Sequence, residues 1–269
     1  MQQIQNIILT ILLALPFCAC QRVISVPLDP GATKYVIEGV VTDEPGGSSV
    51  SITQTKDFSA NNTFAGVSGA TVTIENNGSS YLLTESSPGV YTTSALTGVP
   101  GNTYYMKVVL NGVIYTATST MPNPVVGMDS IYVSNGTLTD KRYVTVVFTD
   151  PAGIPNYYRW VQYVNGRQEK TNFLGNDEFT DGLRIKDQLE FNNDTNDRNR
   201  DIKTGDSVRI DMINIDSAVF QYWYALQRNA DGSGQSASPA NPTGNIAGGC
   251  LGYFSAQGVR TKSLLVGKE

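Results

Sequence analysis

Residues 103–119 read TYYMKVVLNGVIYTATS, and this stretch decides the fold class. Residues 103–110 and 113–119 have the β-branched and aromatic make-up of strands. Asn111-Gly112 between them supplies the positive φ angles that a two-residue hairpin turn demands. The same signature recurs on both sides. ATVTIE (70–75) alternates strictly and runs through Asn76-Asn77-Gly78 into residues 80–84. YVIEGVVT (35–42), SVSITQT (49–55) and a short strand at 89–93 complete a series with turns every ~8–12 residues, the spacing of a small β-sandwich.

Met121-Pro122-Asn123-Pro124 then reads as a domain boundary, because two prolines two apart cannot sit inside a central strand. Beyond it, residues 130–133, YVTVVFT (143–149), YYRWVQYV (157–164) and SVRIDMI (207–213) are further strands, and 251–254 and 263–266 are candidate closing strands. The period changes once. DSAVFQYWYALQRN (216–229) places Val219, Tyr222, Trp223 and Leu226 at helical spacing, with Asp216 as the N-cap. The expectation is a mainly all-β chain with an Ig-like or carboxypeptidase-regulatory-like β-sandwich over 34–121. A second β-sandwich or barrel-like domain over 125–269 would carry one helix.

The first twenty residues bear on location. Ile7 to Phe17 is nearly unbroken hydrocarbon, too short for a stable membrane span but the size of a signal-peptide core, and Cys18-Ala19-Cys20 follows. A small residue before a cysteine marks a bacterial lipoprotein signal, so 1–19 is expected to be removed and Cys20 lipidated, with 20–33 as a tether. Phe17 three before Cys20 makes the lipobox imperfect, and no Lys or Arg precedes the apolar run. A plain secretory signal and a retained anchor therefore stay open. With two or more acyl chains, at ~0.8 kcal/mol per buried methylene, Cys20 would anchor the protein stably.

Composition removes several functions. The chain of 269 residues has no histidine, which takes away Ser-His-Asp and Cys-His catalysis and His-ligated zinc. Net charge is −5, against a nucleic-acid partner and against electrostatic adhesion to anionic lipid. Of 3 Cys, Cys18 falls in the leader and Cys20 is the expected lipidation site, leaving Cys250, which reads as a small apolar residue. No glycine pair precedes a phosphate-binding helix. No cofactor, catalytic residue or metal site is assigned.

Weaker candidates remain. Tyr158, Trp160 and Tyr163 are candidate ligand contacts, as flat aromatic faces for a glycan, although strand alternation would also bury one set in a core. Tyr222, Trp223 and Tyr224 form a second aromatic group. Asp177/Glu178 and Asp187/Glu190 are carboxylate pairs of the type glycosidases use, with surface acids the simpler reading. In NNDTNDRNRD (192–201), Asp194 and Asn196 fit the start of a calcium loop. Arg198 takes the third ligand position and no glycine follows, which favours a solvated loop.

In order along the chain stand Cys20, VIEGVVTDEPG (36–46), VSGATVTI (67–74), PGVY (88–91) and GVPGNTYYMKV (98–108). FTDG (179–182), GDSVRIDMINID (205–216), YWYALQ (222–227), NPTGNI (241–246) and LGYFSA (251–256) follow. This ordered combination resembles the DUF4249 family of uncharacterised Bacteroidota envelope lipoproteins. The resemblance implies a cell-envelope protein, most naturally at the outer membrane, often encoded beside TonB-dependent receptors, and supplies no catalytic residue. The leading expectation is a non-enzymatic, lipid-anchored accessory of an outer-membrane transporter. The alternative is a carbohydrate-binding or carbohydrate-hydrolysing lipoprotein.

Overall fold

The hairpin 103–119 forms as its sequence requires: β6 (Thr103–Leu110) pairs antiparallel with β7 (Val113–Thr120), with Leu110 opposite Val113. Asn111 and Gly112 take φ of 50° and 79° at the turn. Tyr104, Met106, Val108 and Leu110 point inward, while Tyr105 and Lys107 face solvent. The computed structural model describes residues 33–56, 63–136, 141–191, 200–230 and 241–267. The expected leader, Cys20 and nearly all of the tether lie outside the described residues. No helix among the described residues is long and apolar enough to cross a membrane.

Around this hairpin the first lobe adds β1 (Tyr35–Thr42), β2 (Ser49–Gln54), β3 (Thr71–Asn76), β4 (Ser79–Ser87) and β5 (Val90–Thr92). One sheet runs β1-β2-β5-β4 and the other β4-β3-β6-β7, since β4 pairs with β3 through its first half and β5 through its second. Ile37, Ile52, Val72, Ile74, Tyr104 and Met106 fill the space between them. This is an Ig-like sandwich.

The second lobe repeats the architecture. One sheet has the order β13 (Arg184–Gln188), β9 (Arg142–Thr149), β8 (Ser130–Asn135). In the facing sheet β10 (Tyr157–Val164) pairs on one edge with β11 (Arg167–Gln168) and β12 (Phe173–Asn176), and on the other with β14 (Ser207–Asn214). Val144, Val146, Phe148, Tyr158, Trp160, Ile210 and Met212 form the core between the sheets. Helix α1 (Ser217–Ala230) packs Val219 and Phe220 against Val161, Ile213 and Ile215 on the outer face of the second sheet. Asp216 caps it, its Oδ1 accepting the Val219 N–H at 2.9 Å.

The last strand joins the lobes. β16 (Leu251–Leu265) is 15 residues long. Its Leu251–Gln257 half runs parallel to β1, and its Gly258–Leu265 half runs antiparallel to β14. Beside it β15 (Ile246–Ala247) extends the first lobe from the edge of β7. The two candidate closing strands of the sequence are thus one strand serving two sheets, and the division into 34–121 and 125–269 changes accordingly. Phe254 and Ala256, both fully buried, sit in the first lobe's core. Phe254 alone contributes roughly 1.5–3 kcal/mol there by burial. Polar clasps reinforce the join. Asp43 accepts the Val259 N–H at 2.9 Å and a guanidinium N–H of Arg260 at 2.6 Å. The buried Asn214 amide bonds both the N–H and the carbonyl of Val126, at 2.8 and 2.9 Å.

Candidate functional site

Strand register builds a cluster of acids at one end of the second sandwich. Thr149 at the end of β9 opposes Arg184 at the start of β13, and Tyr157 at the start of β10 opposes Asn176 at the end of β12. The two connecting loops, 150–156 and 177–183, therefore have to run side by side. Pro151, which has no N–H, prevents β9 from continuing. The Asp150 N–H donates to the Leu183 carbonyl at 3.0 Å, and the Thr180 N–H donates to the Asp177 carbonyl at 2.9 Å.

Three aspartates converge where the loops meet. Asp181 Oδ1 accepts the Gly153 N–H at 2.7 Å, and Asp177 Oδ2 accepts the Asn156 N–H at 2.9 Å. Asp150, 1% exposed, accepts the Tyr158 hydroxyl on Oδ1 and the Gly182 N–H at 3.4 Å on Oδ2. One oxygen of each acid lies within 4.8 Å of the other two. Among the described residues no ion pair involves any of the three. Burial lifts the Asp150 carboxyl above the usual carboxylate range. The Tyr158 and Gly182 donors oppose that shift, and the charges of Asp177 and Asp181 add to it. The Tyr158 phenol is pushed up as well, by burial first and then by its bond to Asp150. Chemically this is an oxygen-lined nook suited to receiving positive charge.

The same two loops carry unusual apolar exposure. Phe179 is 86% exposed, Leu183 55% and Ile154 41%. Asp177, Glu178 and Asp181 lie within two residues of Phe179 in sequence.

The residues singled out in the sequence fall in varied places. Cys20 lies outside the described residues. Tyr158 and Trp160, candidate ligand contacts, are 1% and 2% exposed and belong to the core, with Phe148 packed against both. A ligand platform at those two positions is corrected accordingly. Tyr163 is half-buried beneath the Arg209 guanidinium, 4.0 Å from the ring centroid. Tyr222 is buried, Trp223 lies under Arg159 at 3.8 Å, and Tyr224 stacks on Phe220 at the helix surface. Asp177 is drawn to Asp150 and Asp181, while its sequence neighbour Glu178 is exposed.

Asp187 and Glu190 line one open hollow of about 280 Å3, and burial raises the Asp187 carboxyl. Of the polar stretch 192–201, residues 192–199 lie outside the described residues. Arg200 is committed to the carboxylate of Glu169. Burial pushes the Cys250 thiol up to about 11, so it is not a thiolate at neutral pH. The sequence reading missed Asp150, which directly follows the strand YVTVVFT (143–149), and Asp181, quoted only within FTDG. The available signal was an acid at the start or end of two turn segments, D-P-x-G (150–153) and D-E-F-T-D-G (177–182). Neither segment alone shows that the two loops meet.

The family described as "Domain of unknown function (DUF4249)" matches residues 22–263. No curated protein matches the chain. Among solved structures, a two fibronectin type-III domain segment from chicken tenascin is similar at 15% identity. The match covers 68% of this chain and 90% of that one, with a TM-score of 0.20.

Proposed function

The chain belongs to the DUF4249 family, whose function is unknown, and from that premise we propose that it is a lipid-anchored envelope protein that works by binding. Cys20 carries the anchor, the outer membrane is its location, and a TonB-dependent transporter protein is its partner. The observation that carries this reading is the apolar loop end of the second sandwich. Single exposed apolar residues are ordinary, but Phe179, Leu183 and Ile154 stand on two adjoining loops. An aromatic that is 86% exposed gains most of its possible burial energy only when a partner covers it. The loops are held by paired strands on both sides, so little ordering cost attends binding.

The test is recovery of the transporter from the native membranes in mild detergent, with the tagged wild-type lipoprotein, Phe179→Asp and Cys20→Ala compared. The expected result is a TonB-dependent receptor enriched with wild type and strongly reduced with both variants, each variant remaining folded by circular dichroism. Recovery of the receptor in equal amounts with Phe179→Asp, or no receptor with wild type, overturns the reading.

A further inference from the structure

We propose that Asp150, Asp177 and Asp181, together with the side-chain carbonyl of Asn156, form a calcium site that ties loop 150–156 to loop 177–183. The inference stands apart from the transporter reading and from the polar stretch at 192–201.

The carboxylates have the right spacing. Calcium takes oxygen ligands at about 2.3–2.6 Å, so two oxygens on opposite sides of one ion are at most about 5 Å apart. One oxygen from each aspartate lies within 4.8 Å of the others. Each loop acid is pinned by a backbone N–H on one oxygen, Asp181 through Gly153 and Asp177 through Asn156. Among the described residues, none donates a hydrogen bond to Asp177 Oδ1 or Asp181 Oδ2.

Asn156 is the independent sign of a ligand. It is 4% exposed, and its side-chain oxygen is fully buried with no hydrogen-bond partner among the described residues. Buried side-chain carbonyls are nearly always satisfied, by protein, water or an ion. Its direction follows from the strand. Tyr157 opposes Asn176, so Asn156 lies opposite Asp177, whose N–H donates to the Asn156 carbonyl at 3.3 Å. That bond carries the β10–β12 ladder one residue past Tyr157, and residues two apart in such an extended run face the same side. Tyr158, two along from Asn156, turns its hydroxyl onto Asp150. Asn156 is thus directed to the side on which Asp150 and Asp177 converge.

Charge and ligand type agree. Three carboxylates with no lysine or arginine partner among the described residues form a site that a divalent cation neutralises, and the ligands are all hard oxygens. Three carboxylates and one amide oxygen leave two to four positions for water or loop carbonyls. Ligand charge count and site rigidity set calcium affinity, and the weak end of the range is a Kd of order 10⁻⁴–10⁻³ M. Occupancy would fix the loop that displays Phe179.

The test is calorimetric titration of the chelator-treated full-length protein with CaCl2, and separately with TbCl3 read by luminescence through excitation of the nearby Tyr158. Wild type should show one saturable calcium site and terbium emission that calcium displaces. Asp181→Asn keeps an oxygen to accept the Gly153 N–H but removes a charge, and should weaken calcium binding roughly tenfold or more. Glu178→Gln, at an exposed neighbouring acid, should leave it unchanged. No saturable calcium heat up to about 10 mM, an unaltered Asp181→Asn titration, or magnesium binding as tightly as calcium overturns the assignment.

Discussion

Ser119 and Asp216, 97 residues apart in sequence, meet through a hydrogen bond from the serine hydroxyl to Asp216 Oδ2. The same hydroxyl accepts the Ala256 N–H at 2.8 Å, and the other carboxylate oxygen caps α1 through Val219. One buried serine at the end of β7 therefore connects the shared strand β16 to the first turn of the helix. Together with Asp43–Arg260 and Asn214–Val126, it explains how two separate hydrophobic cores are held as one unit. It also gives structural work to segments that carry the family resemblance. INID (213–216) supplies Asn214 and Asp216. NPTGNI (241–246) supplies Asn245, whose amide bonds both the N–H and the carbonyl of Phe254 at 2.8 Å.

Asp216→Ala should cost about 2 kcal/mol, roughly 1 for the lost cap and 1 for the lost hydroxyl acceptor. Asp216→Asn should cost less, because asparagine caps equally well. Ser119→Ala leaves the buried Ala256 N–H without its acceptor and should cost about 1–3 kcal/mol. Urea unfolding of both singles and the double variant gives the coupling, expected at about 0.5 kcal/mol or more. Strict additivity would show that this contact does not couple the lobes.

Glu169 should make stability fall in acid. Its side chain is 5% exposed, and burial alone would raise its carboxyl. The Arg200 guanidinium and the Thr171 N–H more than offset that, and hold it below the ordinary value of 4.5. A carboxyl with a depressed folded pKa contributes fully above the unfolded value. That contribution is lost as pH drops below about 4.5 toward the folded value. Glu169→Gln should flatten the stability curve in that window. At neutral pH it should cost about 3 kcal/mol, since the 11% exposed Arg200 side chain loses its carboxylate. Chemical denaturation from pH 3 to 7 reads both effects. An unchanged slope would mean that another carboxyl governs the acid limb.

The hairpin at Asn111-Gly112 and the helix with its Asp216 cap were legible because both signals are local: turn chemistry in one case, 3.6-residue spacing in the other. β10 was legible as a strand over 157–164, but the role of its two faces was not, and the reason is physical. Alternation shows which face is buried only if the other is wet, and here α1 covers the second face. Tyr158 and Trp160 go to the inter-sheet core, Val161 goes under the helix, and both faces read as apolar. β16 defeated local reading differently. Nothing in LGYFSAQ (251–257) signals a parallel partner more than 200 residues upstream. Asp150 and Asp181 are neighbours only because β9–β13 and β10–β12 share their registers, a long-range consequence of pairing.

Trp160→Ala should behave as a core truncation, costing about 3–5 kcal/mol. Tyr163→Ala, at a half-buried ring, should cost less. Were Trp160 a surface platform for a sugar, its replacement would leave the unfolding midpoint nearly unchanged and remove glycan binding instead. Thermal denaturation beside glycan-array binding of the two variants separates these cases.

Gly252 is the position on which the shared strand depends most directly. Its φ is +104°, and a Cβ there would lie 1.9 Å from the Ile37 carbonyl oxygen on β1. Gly252→Ala therefore combines a backbone conformation unsuited to alanine with a collision against the strand that β16 pairs with in parallel. Gly249, with φ +86° and open space where a Cβ would go, isolates the conformational part alone. Gly249→Ala should cost about 1 kcal/mol. Gly252→Ala should cost well beyond that and strip hydrogen-exchange protection from β1 and from Leu251–Gln257, while β10 and β14 keep theirs. Equal effects of the two substitutions would show that β1 and β16 can separate without loss, and that the second sandwich does not rely on the first for its last strand.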